Sequence, residues 1–313
     1  MSKLRLILTT LFIGGSLQLS GPSVSAQSTG SWTSGAPMPS QRGEVAAAAA
    51  GGKIYVVGAF TGERELEIYD PAADKWSRGA ALPRSLHHTA AAGLNGKLYV
   101  CGGYVGGRTP TDAVDEYDPA TNQWRSLKAM PTPRGALAVA VIDGKIHAIG
   151  GVGPDGRNTS AHEMYDPATN EWTALAPLPT PRDHLTAATV NGRLFAIGGR
   201  IDGSFRRNLA TNEAYDPAAD RWEEMAPMPT PRSGIAAGVL NGRILVAGGE
   251  GPSGTFNQVE GYDPAANTWR GFAPLPTARH GLGAAVVGHR IYVIAGGPTP
   301  GGSASSLVEI FTP

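Results

Sequence analysis

Four histidines in this 313-residue chain, His87, His88, His184 and His280, have the chemistry to bind or move something. A neutral imidazole is a first-row metal ligand and an acid or base near neutral pH. The chain also offers carboxylates suited to proton transfer (Glu44, Asp183, Glu250) and guanidinium groups suited to gripping an anion (Arg108, Arg200, Arg206, Arg207). Tyr104, Phe205 and Phe256 add aromatic surfaces of the kind that dominate recognition. Other chemistries are excluded. The 26 basic and 26 acidic residues cancel, which gives no electrostatic reason to expect nucleic acid or an anionic membrane as partner. No metalloprotease helix, phosphate-binding loop, zinc-type Cys spacing or nucleophile elbow occurs. A single Cys permits no internal disulfide.

What positions these residues is a repeat. Tyr-Asp-Pro begins at Tyr69, Tyr117, Tyr165, Tyr215 and Tyr262, with Phe311-Thr312-Pro313 as a degenerate sixth copy. Seven residues after each complete copy stands a Trp: Trp76, Trp124, Trp172, Trp222 and Trp269. Double glycines keep the same phase at Gly102, Gly150, Gly198, Gly248 and Gly296. Within a unit, an apolar run such as Leu137 to Ile142 meets an Asp143-Gly144 turn and then alternating residues. Asp-Gly and Asn-Gly suit two-residue hairpins because both positions tolerate positive φ. A third strand ends in Tyr-Asp-Pro and a fourth surrounds the Trp. Six such units, with no helical periodicity, predict an all-β chain, a six-bladed β-propeller of four-stranded antiparallel blades. Trp32 heads a fourth-strand pattern with no first three strands, and no Trp follows Phe311. The N-terminal strand is therefore expected to complete the last blade and close the ring.

With its double glycine, Tyr and Trp at this spacing, the chain resembles the kelch-repeat family over residues 30–313. The first 26 residues read differently. Lys3 and Arg5, the apolar Leu6 to Ile13 and the small Val24-Ser25-Ala26 have the form of a cleaved secretory signal. The expectation is a signal peptide at 1–26, a propeller at 27–313, secreted or periplasmic residence, and no membrane insertion after cleavage.

Much of the suggestive chemistry is absorbed by the repeat. All six Trp and eight of nine Tyr occupy recurring positions expected in the blade core, leaving Tyr104 over. Arg42, Arg134, Arg182, Arg232 and Arg279 share a register, as do the acids Glu67, Asp115, Glu163, Glu213, Glu260 and Glu309. The second copy has Leu86 in the Arg register, with Arg84 displaced by two. Structural ion pairs are expected there rather than a ring of catalytic carboxylates. Cys101 falls in a strand register otherwise filled by small apolar residues.

Two variable sets remain. One heads each first strand: Gly43-Glu44, His87-His88, Gly135-Ala136, Asp183-His184, Ser233-Gly234 and His280-Gly281. The other is the loop after the double glycine, with Tyr104, Arg108, Arg200, Phe205, Arg206, Arg207, Glu250 and Phe256. The resemblance implies that both sets lie on one face around the central channel, where kelch proteins bind partners. A protein- or carbohydrate-binding module follows, rather than an enzyme. If the chain is an enzyme, similarity to exported six-bladed sialic-acid epimerases implies a sugar epimerase or mutarotase. Arg200, Arg206, Arg207 and Glu250 would then supply the carboxylate clamp and the acid–base group. A galactose-oxidase-like site needs a copper held by Tyr and His and a Cys cross-linked to a Tyr ligand, a set that Cys101 in its core register and the single spare Tyr104 do not supply. Histidines from copies two, four and six could converge on a divalent ion, with Asp183 or Glu44 adding oxygen. Channel walls are expected to hold them too far apart, and neither metal nor cofactor is expected. Asn158-Thr159-Ser160 is formally a glycosylation acceptor.

Overall fold

Asp143 and Gly144, at φ of +49° and +74°, turn the strand Ala138–Ile142 directly into Lys145–Ile149. The chain continues antiparallel through His162–Asp166 to Glu171–Ala174, making a four-stranded sheet. This computed structural model describes Met1 and residues 29–313, and the expected signal segment lies outside the described residues. Six such sheets follow one another around a ring, and the short turn Phe205–Arg207 is the one helical element among the described residues. The strand Ser31–Ser34 pairs with Val308–Thr312, setting Trp32 opposite Phe311. The N-terminal strand thus completes the sixth blade, and no blade is left with three strands.

The first strands of the blades lie innermost and touch one another around the axis. Close approach there demands small side chains. A Cβ on Gly93 would stand 1.8 Å from the Ala49 carbonyl oxygen, and the runs Ala46–Ala50 and Ala236–Leu240 are correspondingly rich in Ala. The core lies between blades rather than within one sheet. Tyr69, Tyr117, Tyr165, Tyr215, Tyr262 and Phe311 are buried at successive blade interfaces. The double glycines serve the same junctions. Gly150 and Gly151 sit at φ of +62° and +99°, and a Cβ on Gly150 would reach within 2.7 Å of the Arg182 carbonyl oxygen in the next blade.

The expected ion pairs are present. Arg42 reaches Glu67 at 3.0 Å, Arg134 reaches Glu163 at 2.9 Å, and Arg182–Glu213 and Arg279–Glu309 close at 2.5 Å. Arg232 pairs with Glu260 in the same way. All five guanidinium groups are fully buried and also donate to backbone carbonyls, as Arg182 does to Gly198 and Ala196. The second blade substitutes Arg84–Asp115 at 3.1 Å, with Arg84 one-third exposed. Cys101 is a free, buried thiol, and burial pushes its pKa up to about 12.

The tryptophans depart from expectation. They are half-buried rather than core residues, because they stand on the outermost strand of each blade. Each indole N–H donates to a carbonyl of the preceding blade, as from Trp124 to Ala80 at 2.8 Å, Trp172 to Lys128 at 2.9 Å and Trp32 to Ala273 at 2.8 Å. They tie blades together at the rim.

Candidate functional site

At one end of the channel the second residue of each variable pair has left-handed backbone. Glu44, His88, Ala136, His184, Gly234 and Gly281 have φ between +50° and +64°. Successive members are hydrogen-bonded head to tail. The Ala136 N–H donates to His88 O at 2.8 Å, His184 to Ala136 at 3.0 Å, Gly234 to His184 at 3.0 Å and Gly281 to Gly234 at 2.9 Å. This conformation is cheap for Gly and costs other residues about 1–2 kcal/mol. Blades five and six use Gly, whereas Glu44, His88 and His184 accept the cost and bring their side chains to the channel mouth.

The first residue of each pair bridges to the loop after its own double glycine. His87 pairs with Tyr104, Asp183 with Arg200, Ser233 with Glu250 and His280 with Gly297. Two sets that are separate in sequence thus become neighbours. Arg200 donates to Asp183 Oδ1 at 3.2 Å and reaches Glu250 Oε1 at 2.5 Å. Glu250 Oε2 lies 3.5 Å from His280 Nε2, and His280 lies 3.4 Å from Glu44 Oε1. Glu44 Oε2 in turn faces His88 Nε2 at 3.5 Å and His184 Nε2 at 4.0 Å. Glu44, His87, Asp183, Arg200, Glu250 and His280 are all buried. The premise that channel walls hold these groups apart is therefore corrected: the ring residues carry the side chains to one another, and the rings of His88 and His184 approach to 5.0 Å.

The network assigns charges. Both nitrogens of His280 face acceptors, Gly297 O at 3.1 Å and Gly301 O at 2.9 Å, so both carry protons. Burial works against that cation, but the hydrogen bond and charge of Glu44, with the charge of Glu250, raise its pKa above the usual range. Burial holds His88 down at about 3, so it is neutral. Burial alone would raise the Glu44 carboxyl, yet the surrounding imidazoles of His88, His280 and His184 outweigh it and keep Glu44 ionised. Asp183 is likewise held low against its burial by His184, Arg200 and Asn158. Burial pushes the Tyr104 phenol up to about 12, with the Asp183 charge adding to it.

Beside the mouth, a cavity of about 210 Å³ opens between the loops of blades two, three and four. His88, Tyr104, Arg108, Asp183, His184 and Arg200 line it, with Pro110, Val152 and Pro154 as its apolar wall. Tyr104 itself is buried, its ring against Gly135. Arg108 is exposed and, among the described residues, makes no ion pair. A second hollow, between Phe60, His87, Tyr104 and Arg108, adjoins it. Other expected site residues are not brought here. Phe205, Arg206 and Arg207 form a separate short turn, where Arg207 pairs with Asp202, and Phe256 packs on Gly251 in a small hairpin of the fifth blade. Asn158, read as a formal glycosylation acceptor, donates its amide to Asp183 Oδ2 at 2.5 Å and accepts from the Asp202 N–H, so that amide belongs to the site. Sequence reasoning missed this role, and it also missed a buried His147–His162 pair at 2.9 Å, where His147 fills a register held elsewhere by Tyr, Phe or Leu.

A profile of the KLHDC2/KLHL20/DRC7 Kelch-repeats domain matches residues 88–297, and one of the Kelch motif matches residues 41–83. The chain belongs to the kelch-repeat family. Among solved structures, the kelch chain is similar to that of YjhT, with a TM-score of 0.77 and 19% identity over 86% of this chain and 94% of that one. At that identity the likeness concerns the fold. No curated protein matches this kelch chain.

Proposed function

We propose that this kelch propeller is an exported binding module that takes a carbohydrate in the cavity between the loops of blades two, three and four. One observation carries the reading: a concave site joins buried polar groups, an apolar wall of Pro110, Val152 and Pro154, and the guanidinium of Arg108, which makes no ion pair among the described residues. Small polar ligands are held by such mixtures, with a few fixed polar groups setting orientation. A protein partner is less well served. Apart from Met1, Phe60 is the one exposed large hydrophobic among the described residues, and docking faces need a cluster of such anchors. The sugar-epimerase alternative assigned Arg200 to the clamp and Glu250 to proton transfer. Those two are ion-paired with each other at 2.5 Å, which favours binding without turnover. In either reading the guanidinium available for an acidic sugar is Arg108.

The test is a thermal-shift panel on residues 27–313 with neutral hexoses, disaccharides and sialic acid. A sugar at about 100 times its dissociation constant adds about 2.7 kcal/mol, worth several degrees here. Arg108→Ala should abolish the shift for an acidic sugar while leaving the unliganded melt unchanged. A flat panel refutes the carbohydrate reading, and conversion of a bound sugar to its epimer replaces it with the enzymatic one.

A further inference from the structure

We propose that the channel mouth binds a first-row divalent transition ion, Zn²⁺ by preference, through Glu44, His88 and His184. The argument rests on the convergence of three ligand atoms and on the groups that orient them from behind. His87 Nε2 lies against the Gly107 carbonyl oxygen, which can only accept, so that nitrogen carries hydrogen, and in the neutral ring His87 Nδ1 is the acceptor. His88 Nδ1, 2.7 Å away, is therefore the donor, and His88 Nε2 presents a lone pair. What it faces at 3.5 Å is another acceptor, Glu44 Oε2. His184 repeats the pattern. Its Nδ1 is held by Asp183 Oδ1, and its Nε2, 2.9 Å from the donor Arg200 Nη2, presents its lone pair there and lies 4.0 Å from the same Glu44 oxygen.

Three ligand atoms, one from each of Glu44, His88 and His184, thus converge within 4.8 Å of one another. Tetrahedral coordination with bonds of about 2.0–2.1 Å sets ligand atoms roughly 3.4 Å apart, so closure by an ångström or so completes the site. The outer partners are already in place. His87 behind His88 and Asp183 behind His184 fix the tautomers a ligating imidazole requires. Arg200 Nη2 touches His184 Nε2 at 2.9 Å and must yield, but Glu250 and Asp183 continue to satisfy its charge. Three buried carboxylates, Glu44, Asp183 and Glu250, gather around Arg200 and the imidazoles of His88, His184 and His280, so a divalent ion brings positive charge to a place rich in acidic groups. Two imidazoles and one carboxylate select zinc-like ions over calcium or magnesium. The neighbouring set Glu44, Glu250 and His280 offers no equivalent, because both nitrogens of His280 are donors. His88 and His184 also line the proposed sugar cavity, so the fourth position opens toward it.

The experiment titrates Zn²⁺ by calorimetry into the chelator-treated chain (residues 27–313), with Co²⁺ absorption as a second readout. One ion per chain is expected, with a Co²⁺ d–d spectrum of four- or five-coordinate intensity. His88→Ala and His184→Ala should each weaken Zn²⁺ binding at least about 100-fold, and His87→Ala about 10- to 100-fold. Ala136 occupies the same ring position in the third blade, so Ala is accommodated there. Absence of stoichiometric Zn²⁺ binding to the wild-type chain overturns the proposal, as does binding that survives in both His88→Ala and His184→Ala. Sugar binding measured in chelator separates this outcome from that of the carbohydrate reading.

Discussion

Replacing His147 by Phe and His162 by Val together should remove a defined part of the protein's sensitivity to acid. The two rings are fully buried, with His147 Nδ1 2.9 Å from His162 Nε2, His162 Nδ1 3.1 Å from Ala176 O, and Tyr215 and Trp222 packed against His162. Burial is the main reason that their pKa values fall, to about 4 for His147 and about 3 for His162. Both folded values lie below the unfolded value near 6.5. As pH drops through that value the unfolded chain takes up protons that the native pair refuses, and stability falls until about pH 4 on account of His147 and about pH 3 on account of His162. At about pH 5 the gap is roughly 1.5 units at about 1.4 kcal/mol each, or about 2 kcal/mol per histidine and about 4 for the pair. The replacements are the residues found at equivalent positions, Phe195 for His147 and Val114 or Val259 for His162. Urea unfolding at about pH 7.5 and about pH 5, for wild type and double variant, isolates the pair because the carboxylates are common to both. The double variant should lose about 4 kcal/mol less on acidification. Equal losses in the two proteins would refute the assignment of these histidines as buried and neutral.

Two stability predictions bear on the frame. Glu213→Ala leaves the fully buried Arg182 without its carboxylate and should cost about 3–5 kcal/mol, whereas Asp115→Ala, opposite the one-third-exposed Arg84, should cost about 1 kcal/mol in the same denaturation assay. Ala136→Gly relieves left-handed backbone at φ +54° in a ring where blades five and six already use Gly, and it should raise the unfolding free energy by about 0.5–1 kcal/mol.

The fold was legible because six in-phase copies repeat the same turn, Tyr and Trp, so accidents in one copy are outvoted by the others. Ring closure was legible from a single unmatched Trp32. Subtracting the repeat also isolated Glu44, His88, Asp183, His184, Arg200, Glu250 and His280, which the structure gathers at one place. Hidden in the sequence was the device that gathers them. Left-handed backbone at the second residue of each pair is hinted at only by Gly234 and Gly281, and the bridges from Asp183 to Arg200 and from His87 to Tyr104 are long-range pairings that no local pattern specifies. Loop variability alone could not separate Arg108, which faces the cavity, from Arg206 and Arg207, which do not. The tryptophans were misplaced for a related reason: large aromatic area suggests a core, but position on the outermost strand decides exposure.

Saturation-transfer NMR of residues 27–313 against the sugar panel, repeated with Arg108→Ala, tests the central claim most directly. The account predicts saturable transfer to at least one sugar, weakened or lost when the Arg108 side chain is removed. No transfer to any sugar, or transfer untouched by that substitution, would contradict a carbohydrate site between the loops of blades two, three and four.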